Sequence, residues 1–218
     1  TPDALFQVIS AINKENPDLI YSDEDLVAPS GRYIAAHFKP DYSPDLLLEH
    51  NYVTHLLVAN RTLINRVGSF REAYDGAQDY DFILRLQGKA TRICHIRKVL
   101  YHWRRIESSV SQCSTSNLNT LDAGRRAIEN ALLRRGILGT VEHSNLPNFY
   151  QHTRTITETP LVSIIVPFRD KSDLLEKCVS AIVAKSTYKK FEVVGVDNDS
   201  SKQVTSDAMK RLAMLDPR

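Results

Sequence analysis

The sequence is poor in the residues that mark several common function classes. It holds 8 glycines in 218 residues and none are clustered. A glycine-rich loop that wraps backbone amides around phosphate is therefore absent, which argues against a nucleotidyltransferase or a related α/β nucleotide enzyme built on such a loop. The three cysteines, Cys94, Cys113 and Cys178, are far apart and form no CxxC pair. That excludes a disulfide scaffold or a cysteine zinc site and suits a reducing cytoplasm. No apolar run approaches the ~18 residues that span a bilayer, and no signal-peptide pattern opens the chain. The formal net charge of +2 is too near neutral for a nucleic-acid binder or a polybasic membrane anchor. The short basic pairs Lys189-Lys190 and Arg134-Arg135 read as solvated surface.

What is present reads as α/β. Residues 3–13 carry Leu5, Val8, Ile9 and Ile12 at helical spacing, and Asn16-Pro17-Asp18 breaks the helix. LIYS (19–22) is a short buried strand running into an acidic cluster, and Pro29-Ser30-Gly31 is a turn. Residues 37–48 read as loop followed by a short helix that Ser43 caps. A strand over 55–59, a helix over 61–67 ended by Gly68, and a helix from about Asp79 follow. Strands are expected over 90–96 and 99–103, then a helix over 120–135 ended by Gly136. Residues 145–160 are polar and aperiodic and read as a connector. Beyond it VSIIV (162–166) and FEVVGV (191–196) are continuous apolar runs, the pattern of strands buried on both faces of a parallel sheet. Helices over 172–184 and 206–215 complete a strand–helix–strand–helix unit.

The candidate chemistry lies at strand ends. Asp23 and Asp25 are alternate carboxylates after a buried strand, able to face one hard divalent cation such as Mg²⁺ or Mn²⁺; a solvated acidic turn is the plainer reading. Asp79 opens a helix, where a carboxylate serves either as a first-turn dipole partner or as a general base. His102 ends a strand as a packed residue or a ligand in an oxygen-rich metal site, and Trp103 beside it is core or a platform for a sugar ring. Pro167, Arg169 and Asp170 follow one strand of the C-terminal unit, and Asp197, Asn198 and Asp199 follow the other, at the end of an open sheet where ligands bind. Asp197 is placed either to accept from a base N–H or to cap a turn.

Four stretches in order, LIYSDEDLV, HFKPDYSPDLLLEHNYVTHLLV, VGSFREAYDGAQDYDFILRL and VLYHWRRIESSVS, resemble family 2 glycosyltransferases of the GT-A fold, especially bacterial enzymes of surface-polysaccharide assembly. They cover most of 17–111, while 161–200 resembles the opening of the same family. The resemblance implies a GT-A-like, Rossmann-like mixed sheet flanked by helices. It implies that Asp23 and Asp25 form a DxD pair with Asp25 on Mg²⁺ or Mn²⁺, that His102 is a further metal ligand, and that Asp79 is the catalytic base. Asp23, Pro167, Asp170 and Asp197 would contact the nucleotide. Gln78 stands where the family commonly has Glu, and Asp170 where Glu is common. The implied reaction is an inverting transfer from a nucleoside-diphosphate sugar, of UDP or dTDP type, to a saccharide acceptor, without nucleic acid.

In that family the nucleotide half precedes the DxD, and here the order is reversed. The expected organisation is a DxD and acceptor half over 1–144, a linker over 145–160, and the nucleotide-binding opening of a second domain over 161–218, both ends reading as cut from something longer. One expectation is that the C-terminal segment docks onto the first half, within one chain as in a circular permutation or between two chains as a homodimer by half-domain exchange. The alternative is a nucleotide-sugar-binding or assembly module that has lost turnover. Either would work in the cytoplasm, with the inner face of the membrane as a peripheral location.

Overall fold

The structure, a computed structural model, describes residues 1–104 and 118–218. The final residues of the VLYHWRRIESSVS stretch, and Cys113, lie outside the described residues; Cys94 and Cys178 are free thiols. The chain forms two compact units, Thr1–Thr155 and Ile156–Arg218.

The first unit is organised by β1 (Leu19–Val27), which is longer than expected: the acidic cluster lies inside the strand, not after it. Its first six residues are buried, because β1 has neighbours on both edges. β4 (Ile93–Arg104) runs parallel to it, and β2 (Tyr33–His37) and β3 (Leu57–Ala59) pair antiparallel to its two halves. β4 is one strand where two were expected; the break appears as register shifts at Asp23, where the ladder skips from Ile96 to Val99. β2 was not expected, since its residues alternate poorly in hydrophobicity.

Helices α1 (Ala4–Glu15), α2 (Arg61–Val67), α3 (Gln78–Gln87) and α4 (Leu118–Arg134) fall where the periodicity places them. Of the expected apolar face of α1 only Val8 is fully buried, while Leu5 and Ile9 are exposed. The core gathers Leu47, Leu48, Ile83, Leu84 and Ile128, each fully buried aliphatic contributing about 1.5–3 kcal/mol. β5 (Gly139–His143) and β6 (Tyr150–Arg154) form an antiparallel hairpin on this unit. Part of the expected connector over 145–160 is therefore a strand, held because Tyr150 enters the core and donates from its hydroxyl to the Leu121 carbonyl at 3.1 Å. Gly124 makes room for that ring: a Cβ there would overlap the Tyr150 hydroxyl.

The second unit is the expected strand–helix–strand–helix: β7 (Val162–Phe168), α5 (Ser172–Lys185), β8 (Phe191–Asp197) and α6 (Gln203–Leu215), with β7 and β8 parallel. The strands are not buried on both faces. Residues from α5 and α6 meet Phe168, Val193 and Gly195 around an apolar cavity of about 340 Å³. Alternation along a strand then leaves Ile165, Val194 and Val196 on the other face, where Ile165 is 67% exposed. A two-stranded sheet with helices on one side has nothing to cover that face, so the apolar run overstates burial. No described helix is long and apolar enough to cross a membrane.

Candidate active site

β1 carries three consecutive acids, Asp23, Glu24 and Asp25, and the fold gives each different partners. Asp23 is buried, and its Oδ1 accepts from the backbone N–H of Lys39 at 2.9 Å and lies 2.8 Å from His95 Nε2. His95 is itself nearly buried, stacks on Tyr21 at 4.7 Å, and reaches Asp41 with its other nitrogen at 3.3 Å. Asp23 is thus committed to protein partners on one oxygen. Asp25 Oδ1 lies 2.6 Å from His102 Nδ1, directly across the β1–β4 ladder. Two of the three residues expected to hold a cation, Asp25 and His102, are therefore adjacent.

Glu24 was not singled out from the sequence, yet it is the most heavily partnered of the three. Its carboxylate accepts from Thr54 Oγ1 at 2.7 Å and lies 3.0 Å from His55 Nδ1 and 3.5 Å from His37 Nδ1. Burial alone would raise its pKa; the bonds from His37, His55 and Thr54 and the charge of Lys39 outweigh that and hold it well below the usual carboxylate range. Lys39 was missed as well. Burial pushes its amine down to about 8, against the pull of Glu24 and Asp23. Its Nζ donates to the Val53 carbonyl at 2.7 Å and also to that of His55, clamping the segment that supplies Thr54 and His55. His55 stacks on Tyr101 at 4.7 Å and tilts against Trp103 at 5.0 Å, so Trp103 belongs to this cluster.

Asp79 lies in the first turn of α3, and its Oδ1 accepts from the Tyr80 N–H at 2.8 Å. Its Oδ2 accepts from Asn51 Nδ2 at 3.2 Å. Asn51 belongs to the strip that contacts Glu24 through Thr54, and three residues extended reach about 10 Å. Asp79 and Glu24 are thus linked through one strip of chain, 51–55. The Oδ1 of Asn51 is buried with no hydrogen-bond partner among the described residues.

In the second unit Asp170, at φ 51°, ties two loops together. Its Oδ1 accepts from the N–H groups of Lys202 at 3.0 Å and Ser201 at 3.2 Å and from Thr205 Oγ1 at 3.3 Å, capping the approach to α6. The Lys202 amide, with help from Thr205, holds its carboxyl below the usual range. Asp197 Oδ1 accepts from the Ser200 N–H at 3.0 Å, a turn-closing bond. Pro167 lies in β7 opposite Val196. Among the described residues no group of three His, Cys, Asp or Glu side chains is arranged to hold a metal. The available donors still suit a hard cation: Asp25 and His102 offer one oxygen and one nitrogen, and such ions take remaining positions from water and phosphate.

Residues 163–218 match the family model described as Glycosyl transferase family 2. Residues 163–218 are therefore similar to the family 2 glycosyltransferases. The chain is 40% identical over its whole length to the O-antigen biosynthesis protein RfbC of Myxococcus xanthus, and 41% identical over 204 residues, 91% of the chain, to the uncharacterized protein y4gI of Sinorhizobium fredii. It spans only 17% and 22% of those two relatives. The alignment to RfbC runs over the whole chain, so it spans the acidic strand as well as the family-matched segment.

Proposed function

We propose that the chain is part of a metal-dependent inverting glycosyltransferase that moves a sugar from a nucleoside diphosphate to a saccharide acceptor in polysaccharide assembly. The observation that carries this reading is the strip 51–55, which joins Asp79 through Asn51 to Glu24 through Thr54 and His55. A base and an acidic strand with a shared anchor are what a single displacement needs, since the attacking hydroxyl must be held in line with the leaving group. Asp79 is partly solvated and takes the hydroxyl proton as general base. Asp25 and His102, with Asp23 oriented by His95 and Lys39, would hold a Mg²⁺ or Mn²⁺ ion, which when bound supplies positive charge for a departing diphosphate. Asp197, Pro167 and Asp170 would contact the nucleotide, Asp170 also shaping that loop through the three donors to its Oδ1.

The test is binding of UDP and dTDP with and without Mn²⁺, followed by transfer. The reading requires Mn²⁺-dependent binding that survives Asp79→Ala while transfer is lost by about 10²-fold or more. Binding that ignores Mn²⁺ sinks the metal assignment; full transfer by Asp79→Ala sinks the base. Binding with no transfer by the unaltered protein would favour the module without turnover. A second reading, half-domain exchange between two copies, is supported by the open apolar face of β7 and β8.

A further inference from the structure

The C-terminal ends of α2, α3 and α4 meet around a cavity of about 270 Å³ lined by Arg66, Arg85, Lys89, Arg134 and Arg135, with no acidic side chain in its lining. None of these residues belongs to the acidic cluster of β1. Arg85 alone has its charge matched: Nε donates to Asp81 Oδ2 at 3.0 Å, and the remaining nitrogens donate to the carbonyls of Val67 at 2.6 Å and Ser69 at 2.8 Å. Among the described residues Arg66, Lys89, Arg134 and Arg135 make no ion pair, and Arg134 bonds only the neutral Asn130 amide oxygen. The Nη2 of Arg135 is buried with no acceptor among the described residues. Arg66, Lys89 and Arg134 keep exposed side chains; the part of Arg134 that is buried, with the neighbouring charges of Arg71 and Arg85, depresses it against the pull of Asp81.

Cations in the last turn of a helix suit its dipole, each for about 0.3–1 kcal/mol. That accounts for Arg66, Arg85 and Arg134 one at a time. It does not account for Lys89 and Arg135, which lie past the helix ends, nor for a buried guanidinium nitrogen left without an acceptor, which costs about 1–3 kcal/mol. We propose that this cavity is a binding site for a diphosphate-class anion. Four cations without counter-charge exceed what one carboxylate would neutralise, and guanidinium forks match phosphate oxygens in pairs. The Arg134-Arg135 pair, which looks like plain surface in the sequence, is the centre of the site.

The experiment titrates inorganic pyrophosphate, and separately farnesyl diphosphate, into the chain by calorimetry without divalent metal. Wild type binds both, and the Lys89→Gln/Arg134→Gln double variant binds at least about tenfold more weakly. Asp25→Asn leaves this binding unchanged. Tighter binding of farnesyl diphosphate assigns the anion to a lipid; equal binding assigns it to a free diphosphate. Thermal melts check that the double variant folds, with Arg66→Gln as the substitute if it does not. Pyrophosphate raises the melting temperature of wild type only. Wild type that ignores millimolar pyrophosphate, or a folded variant that binds as well as wild type, overturns the proposal.

Discussion

The backbone N–H of Lys39 donates to Asp23 at 2.9 Å while the amine of the same residue, fully buried, lies 3.9 Å from Glu24. One lysine therefore fixes two of the three acids of β1, and through the Val53 carbonyl it also fixes the strip that carries Thr54 and His55. Lys39→Met removes the charge and both side-chain bonds but keeps the backbone bond to Asp23. The expected cost is about 3–5 kcal/mol, since Glu24 is left buried with less compensation and two carbonyls lose their donor. Urea unfolding measures it. A loss under about 1 kcal/mol would mean that water replaces the amine and that the clamp is not structural.

Asn51 joins the candidate base to this clamp. Its amide nitrogen donates to Asp79, and its buried oxygen has no donor among the described residues. Asn51→Ala should leave Mn²⁺-dependent nucleotide binding intact and lower transfer mainly through kcat, by about 10-fold or more, because the base loses its orientation. Asn51→Asp should not rescue, as it places a second carboxylate beside the first. Equal losses in nucleotide binding and turnover would assign Asn51 to the fold alone.

Asp81, two residues beyond Asp79, does different work. It is fully buried between Arg71 and Arg85, whose Nε atoms each donate at 3.0 Å. Burial raises its pKa, but the two guanidiniums outweigh burial and the net shift is downward. The folded value thus lies below the unfolded value of about 3.9. The ion pair's contribution is complete above pH ~4 and is lost as the pH falls through the folded value. Asp81→Asn should cost about 3–5 kcal/mol near neutral pH and flatten the acid limb of the stability profile. A variant with an unchanged acid limb would assign acid unfolding to other carboxylates.

The contrast between Asp79 and Asp81 shows what the sequence carries. The helix, its start and the exposed acid in its first turn follow from periodicity and the preceding Gly76, at φ 88°. That Asp81 is buried does not, because its partner Arg71 is ten residues back in an irregular segment. The same holds at β1. The DED triplet is visible, but His95, 72 residues on, and Lys39, in a loop beside a proline, are not. Local rules give the elements; the charge partners depend on which strands meet. The hairpin of β5 and β6 was illegible for a related reason, since its strands are polar and owe their place to Tyr150 and the close approach at Gly139, where a Cβ would overlap the Thr153 carbonyl. The VSIIV run misled in the opposite direction: its composition belongs to a sheet with two covered faces, and this unit covers one.

That uncovered face separates the exchange reading from a simpler one. Ile165 is 67% exposed and sits opposite Val194, which is 40% exposed. If the face is open to solvent in the protein, Ile165→Lys changes stability by no more than about 0.5 kcal/mol, and the chain sediments as one species with or without the substitution. If two copies exchange halves, the face is covered in the dimer. A lysine there would then bury an unpaired charge, and a wild-type dimer would dissociate on substitution. Sedimentation equilibrium of both proteins at matched concentrations decides between them. A monomeric wild type with an indifferent variant removes half-domain exchange between copies. A dimer lost on Ile165→Lys but kept on Glu192→Lys, which is cross-strand from Ser163 on the same face, would place the partner over the apolar centre and not over its rim.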